Sequence, residues 1–229
     1  MIPLVAGILV FFLGIIVLIQ LGLQASGLAD SPHGPFWNLL VGLIALQLPI
    51  LILTHGSLRI HQLGWNTAFG LAWNPSAVAW GIGLGVAAVV IGYPILAGMV
   101  HLLESYGYQP ETQKAVQFLA TAPGWQQAII GLFAVVFAAI AEETLFRGIL
   151  YRLGETPIQR RIALVTTSIL FGAVHANAAA FIPLTLFGAS LCWAYQRTGN
   201  LLTCIIAHAT FNLVGLGVAI LQPPPPLSP

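Results

Sequence analysis

The chain has 229 residues; hydrophobic types make up 58% of them, charged types only 6%, and the formal net charge is +1. A soluble domain carries roughly 25% charged residues, so a water-soluble enzyme and a disordered chain are both excluded. A nucleic-acid binder, which needs a basic stripe, is excluded with them. The composition fits an all-α, polytopic transmembrane bundle.

A spanning helix needs about 20 mostly apolar residues, and about seven stretches qualify or come close. The first is Ile2–Leu23. It is longer than the roughly 7–15-residue core of a secretory signal and lacks a basic leader, so it reads as an uncleaved helix. The second is Phe36–Leu53, followed by an interfacial linker, His55–Pro75, that carries Arg59, His61, Trp65 and Trp73. The third, Ala77–Leu103, is expected to bend at Pro94, and the fourth runs from Trp125 to about Leu153. The fifth is Ile162 to about Asn177 and the sixth Ala178–Tyr195; together they read as two short tilted helices or as a re-entrant turn. The seventh is Leu201–Leu221. Residues 1–222 form one integral membrane domain in this reading. Residues 223–229 are a Pro-rich tail, expected to be extended and disordered. Cys192 and Cys204 lie in apolar stretches and read as small buried hydrophobes.

Basic residues mark the cytoplasmic side. Arg147, Arg152, Arg160 and Arg161 follow or end the fourth span, and alternation places Arg59 and Arg197 on the same side. Six of the seven basic residues then agree with an N-terminus-in, C-terminus-out topology; Lys114, near Glu104 and Glu111, is the exception.

Seven of the 13 charges fall between Glu142 and Arg161. Glu142, Glu143 and Arg147 lie within apolar helix, where an ionisable group costs roughly 2.5–3.5 kcal/mol to insert. Glu142 is about 11 residues, roughly 16 Å, from the end of its span. Glu143 and Arg147 are spaced i,i+4 and can pair on one face, whereas Glu142 points about 100° further round the helix. Two further polar pairs follow on other helices. Phe171 and His175 share a face at i,i+4, as do His208 and Asn212. Each pair alone reads equally well as interhelical glue. Together they supply a carboxylate, two imidazoles and an amide around one cavity, enough to activate water and stabilise an oxyanion. His33, His55, His61 and His101 fall in linkers or at span ends and read as solvated.

The ordered set Glu142-Glu143-x-x-x-Arg147, Phe171-x-x-x-His175, His208-x-x-x-Asn212 resembles the CPBP intramembrane proteases, also called the CAAX-prenyl-protease-2 or Abi family. The resemblance covers about residues 125–215. It implies an endopeptidase whose active site lies inside a membrane, the plasma (inner) membrane here, and opens toward the cytoplasm. It makes Glu142 the general base, with His175 holding the same water. His208 and Asn212 become oxyanion donors, and Glu143, Arg147 and Phe171 become supporting residues. Its implied partners are membrane lipids and a peptide or protein substrate, lipidated or otherwise membrane-bound. No nucleic acid is implied.

Two chemistries stay open on the residues alone. One needs no cofactor. The other uses zinc on Glu142, His175 and His208, three ligands with a fourth position for water. No His-Glu-x-x-His motif is present, and Asn212 is a poor zinc ligand but a good oxyanion donor, which favours the metal-free scheme. A non-catalytic membrane immunity or scaffold protein of the same fold would not need the four polar residues together. A transporter would be expected to show a repeat with broken helices in both halves, and no intramembrane charge marks the first half.

Overall fold

The structure, a computed structural model, describes residues 18, 21–22, 24–28, 30–31, 33–110, 114–154 and 156–221. The expected first span and the Pro-rich tail lie outside the described residues, apart from a few positions at the end of that span. The described residues are helical, with no strand among them. The helices are α1 (Gly34–Ile60), α2 (Trp65–Phe69), α3 (Pro75–Ser105), α4 (Lys114–Thr121), α5 (Gly124–Leu153), α6 (Pro157–Ala173), α7 (Ala178–Thr198) and α8 (Leu201–Leu221).

Five of these are long and apolar enough to cross a membrane: α1, α3, α5, α7 and α8. The expectation of about seven spans is therefore not met among the described residues. The fifth expected span, α6, has 17 residues and starts five residues earlier than the apolar pattern predicts. Pro157 and a capping box open it: the Thr156 hydroxyl accepts from the Gln159 N–H, and the Gln159 side chain accepts from the Thr156 N–H. The helix stops at Ala173, so His175 sits in a turn with Ala176 in the left-handed region (φ 49°). Asn177 then caps α7 through the Ala180 N–H. The chain between α6 and α7 thus makes a tight turn between two helices.

Close helix approach comes from glycines. In lipid, helices associate by packing and not by expulsion of water, so small residues favour tight contact. Gly81 and Gly85 of α3 form a G-x-x-x-G face against α8. A Cβ at Gly81 would lie 2.7 Å from Ile206, and one at Gly85 would lie 2.6 Å from the Ala207 carbonyl oxygen. Both helices advance in step, so they run parallel. Gly172 and Gly188 bring α6 and α7 together in the same way, with a Cβ at Gly188 only 3.2 Å from Ser168.

One end of the bundle is closed by the linker that contains α2. The buried Phe69 ring packs on Gly148 of α5, and its carbonyl accepts a hydrogen bond from the Tyr195 hydroxyl at 3.1 Å. Asn200 donates to the Ala72 carbonyl at 2.9 Å. Tyr151 and Tyr195 meet edge to face. The ends of α5 and α7 therefore lie together there, and the exposed residues Arg59, Arg152, Arg160, Arg161 and Arg197 flank this end in sequence. Trp65 caps the linker by stacking on His55, to which its indole N–H donates.

Candidate active site

Three helices supply the site, and α5 is its axis. This helix is not uniform. A six-residue α-helical piece, Ala138–Glu143, sits between two π-type turns, Phe133–Phe137 and Thr144–Leu150. Widened turns of this kind rearrange backbone hydrogen bonding and often occur at functional positions. The first presents the Ala134 carbonyl to α8, where Asn212 Nδ2 donates to it at 2.8 Å. Arg147 lies in the second.

Glu143 is the centre of the buried polar cluster. Its Oε1 accepts from Arg147 Nη1 at 2.9 Å and from His208 Nδ1 at 2.8 Å. Glu143 and Arg147 are fully buried and His208 is nearly so. Arg147 Nη2 also donates to the Gly188 carbonyl on α7 at 3.0 Å, and the guanidinium lies 4.6 Å from the Phe171 ring centre. A buried ion pair offsets its desolvation only when its remaining donors and acceptors are also engaged. Gly188, Phe171 and His208 do this in part for the Glu143–Arg147 pair, while Glu143 Oε2 and Arg147 Nε have no hydrogen-bond partner among the described residues. Because Glu143 is shared, α5, α7 and α8 are locked at one depth.

Glu142 behaves differently. Its side chain is 27% exposed, and its Oε2 lies 4.0 Å from His208 Nε2. That is too far for a hydrogen bond. Glu142 Oε2 is itself buried and has no hydrogen-bond partner among the described residues. The rotation of about 100° between adjacent helix positions thus separates the two carboxylates. Glu143 is bonded through Oε1 to Arg147 and His208, its Oε2 being unpartnered as that of Glu142 is, and Glu142 makes no hydrogen bond to a described residue.

The two imidazoles are oriented by their Nδ1 atoms. His175 Nδ1 is 2.7 Å from the Phe171 carbonyl. A carbonyl only accepts, so Nδ1 carries the proton, and a neutral ring presents its lone pair at Nε2. His208 Nδ1 faces a carboxylate, which likewise makes Nδ1 the donor and turns Nε2 toward Glu142. The fully buried Phe171 ring lies between the two, 5.1 Å from the His175 ring and 5.6 Å from the His208 ring. Phe187 closes the other side of His208 at 5.9 Å and stacks on Phe211.

All seven candidate residues lie in this region, but they do not form a single contact set. Glu143, Arg147 and His208 are bonded together, with Glu142 and Phe171 against them. His175 is joined through Phe171, and Asn212 is bonded to the α5 backbone. Among the described residues no three His, Cys, Asp or Glu side chains gather as a group that could hold a metal ion. The zinc set of Glu142, His175 and His208 is therefore not assembled in this arrangement. Cys192 and Cys204 are buried and free.

Sequence reasoning missed two participants, the Gly188 and Ala134 carbonyls. Any residue type can offer a backbone carbonyl, so no side-chain pattern announces either one. Gly188 could have been found only as a small residue on an apolar helix, a signal shared with many glycines of this chain.

Residues 124–214 match the profile of a family described as Rce1-like: Type II CAAX prenyl endopeptidase Rce1-like. No curated protein and no solved structure matches the chain. The matched segment contains every residue of the cluster, from Glu142 to Asn212. Over this segment, which is less than half of the chain, the protein is similar to the Rce1-like type II CAAX prenyl endopeptidases.

Proposed function

We propose that the protein is an integral-membrane endopeptidase that cleaves a peptide bond with water activated by Glu142 and His175, without a metal. One observation carries the reading: two adjacent carboxylates have opposite environments. Glu143 is fully buried and its Oε1 accepts from both Arg147 and His208, whereas Glu142 is partly exposed, makes no hydrogen bond to a described residue and has its Oε2 4.0 Å from His208 Nε2; each carboxylate keeps one buried Oε2 without a partner.

In this scheme Glu142 accepts a proton from water while His175 Nε2 accepts the water's other hydrogen bond. The hydroxide attacks the scissile carbonyl. Two donors meet the oxyanion that forms: His208 Nε2–H and the second N–H of the Asn212 amide. Glu142 then returns its proton to the leaving amine, so the proton balance closes. With His208 protonated, Glu142, Glu143, Arg147 and His208 sum to zero charge, which suits a site of low dielectric. The Glu143 carboxylate orients His208 as the carboxylate of a catalytic triad orients its imidazole. The 4.0 Å between Glu142 and His208 is too long for a direct bond and short enough for both to act on one reacting group. A peptide or protein substrate, lipidated or not, would reach this site from the cytoplasmic side of the plasma membrane.

The test uses the purified protein in lipid vesicles and a farnesylated peptide ending in a Cys-aliphatic-aliphatic-X sequence. Glu142→Gln preserves shape and removes the proton acceptor, so cleavage should fall below detection with thermal stability unchanged. Exhaustive dialysis against a chelator should leave the wild type active. Cleavage by Glu142→Gln would refute the base assignment. Loss and return of activity with zinc would replace the metal-free scheme by the zinc one.

A further inference from the structure

The matched family segment starts at residue 124, yet α3 also reaches the site stripe of α8. His208, Asn212 and Gly215 are spaced at i, i+4 and i+7 and so share one helix face. Gly215 has no side chain, and the Tyr93 hydroxyl takes up the neighbouring space: a Cβ built at Gly215 would lie 3.4 Å from Tyr93 Oη. The adjacent Gly92 packs against Pro183 of α7. Tyr93 is thereby held at the end of the bundle where the α6–α7 turn carries His175. It is half-buried, and its hydroxyl makes no hydrogen bond to any described residue. The Tyr93 hydroxyl is not among the buried polar atoms without a partner, so it stays accessible and can donate to an incoming ligand. Phe would fill the same volume without offering that donor.

We infer that Tyr93 is a substrate-binding residue, whose hydroxyl donates to a backbone carbonyl oxygen of the peptide next to the scissile bond. This rests on the protease reading above. The contact lies one turn beyond Asn212, so it holds the peptide strand beside the oxyanion site without meeting the reacting carbonyl. It makes the first half of the chain, outside the matched segment, part of the substrate site.

The deciding variant is Tyr93→Phe, assayed with the same farnesylated peptide in vesicles. The ring is kept, so thermal stability should stay at wild type. KM should rise roughly 3- to 10-fold, the effect of losing one neutral hydrogen bond, with kcat within about twofold because the contact is present in ground and transition states alike. A second probe replaces the amide next to the scissile bond by an ester, whose carbonyl is a weaker acceptor. With it the wild-type KM should rise and the gap between wild type and Tyr93→Phe should shrink. An unchanged KM on the amide probe, or an equal gap on both probes, would overturn the assignment. Absence of cleavage by the wild type would instead overturn the protease reading and Tyr93's role with it.

Discussion

Glu142 and Glu143 are neighbours in sequence and should have separable phenotypes. Glu143 is fully buried and accepts from Arg147 and His208. Glu143→Gln leaves the Arg147 charge buried without its counterion, and breaking a buried pair in this way costs about 3–5 kcal/mol. Thermal unfolding in detergent should show a large drop for Glu143→Gln and none for Glu142→Gln, although both lose cleavage. Equal stability of the two variants would mean that the Glu143–Arg147 pair does not hold the helices. Asn212 would have two jobs in the proposed scheme, since one N–H already ties α8 to the Ala134 carbonyl. Asn212→Ala should lower kcat by about 10²–10³, as for loss of one oxyanion donor, with little change in KM, and should also cost about 1–3 kcal/mol through the unpaired Ala134 carbonyl. Asn212→Asp should do no better, because it sets an acceptor against the oxyanion. Full kcat in Asn212→Ala would leave Asn212 with the interhelical bond alone. At this scale the i,i+4 pairing of Glu143 with Arg147 was legible, because it is geometry within one helix. The bond from His208 to Glu143, 65 positions away, was not.

Among the helices, the contact between α3 and α8 is the one that most directly positions a site residue. Gly85 touches Ala207, the residue before His208, so any side chain added there pushes on the peptide that carries the imidazole. Gly85→Ala should destabilise by about 1–3 kcal/mol, the usual penalty of overpacking. It should also cut kcat by roughly 10²-fold if α8 moves by an ångström. Gly83→Ala is the matched control, since its Cβ would meet nothing within 4 Å, and both measurements should stay near wild type. Equal behaviour of the two variants would show that the glycine face does not set the register of α8. The G-x-x-x-G spacing was readable in the sequence, but three glycines at positions 81, 83 and 85 offer more than one face, and the packing selects between them. The end of α6 was not readable, because apolar residues continue through the turn that carries His175.

For the whole molecule, the exposed arginines flank the end closed by the α2 linker, and charge bias near helix ends sets orientation. A reporter fused after Gly154 should read cytoplasmic, and one fused after Gln109 should read the opposite side. The reverse result would turn the bundle over and move the site's opening to the other face of the membrane. The linker's contacts with α5 and α7 make the prediction sharper than the charges alone. They place the ends of two helices and the start of a third at the same end of the bundle.

Hydropathy sufficed for the class of the molecule, a helix bundle with spans apolar enough for a membrane, and motif order for the likeness of its second half to the CAAX-type proteases. Transfer of apolar residues into lipid is summed along the chain, and each motif is a local spacing on one helix, so both are linear properties. The different contacts of the two carboxylates depend on how α5 is rotated against α7 and α8. That rotation is fixed by glycine contacts and π-type turns spread over more than 100 residues. The acceptors that complete the cluster, the carbonyls of Ala134 and Gly188, belong to the backbone and carry no residue-type signal. Only packing of the whole bundle could bring them to Asn212 and Arg147, because a helix leaves a carbonyl free for a side chain only where its own ladder is perturbed or its oxygen is shared.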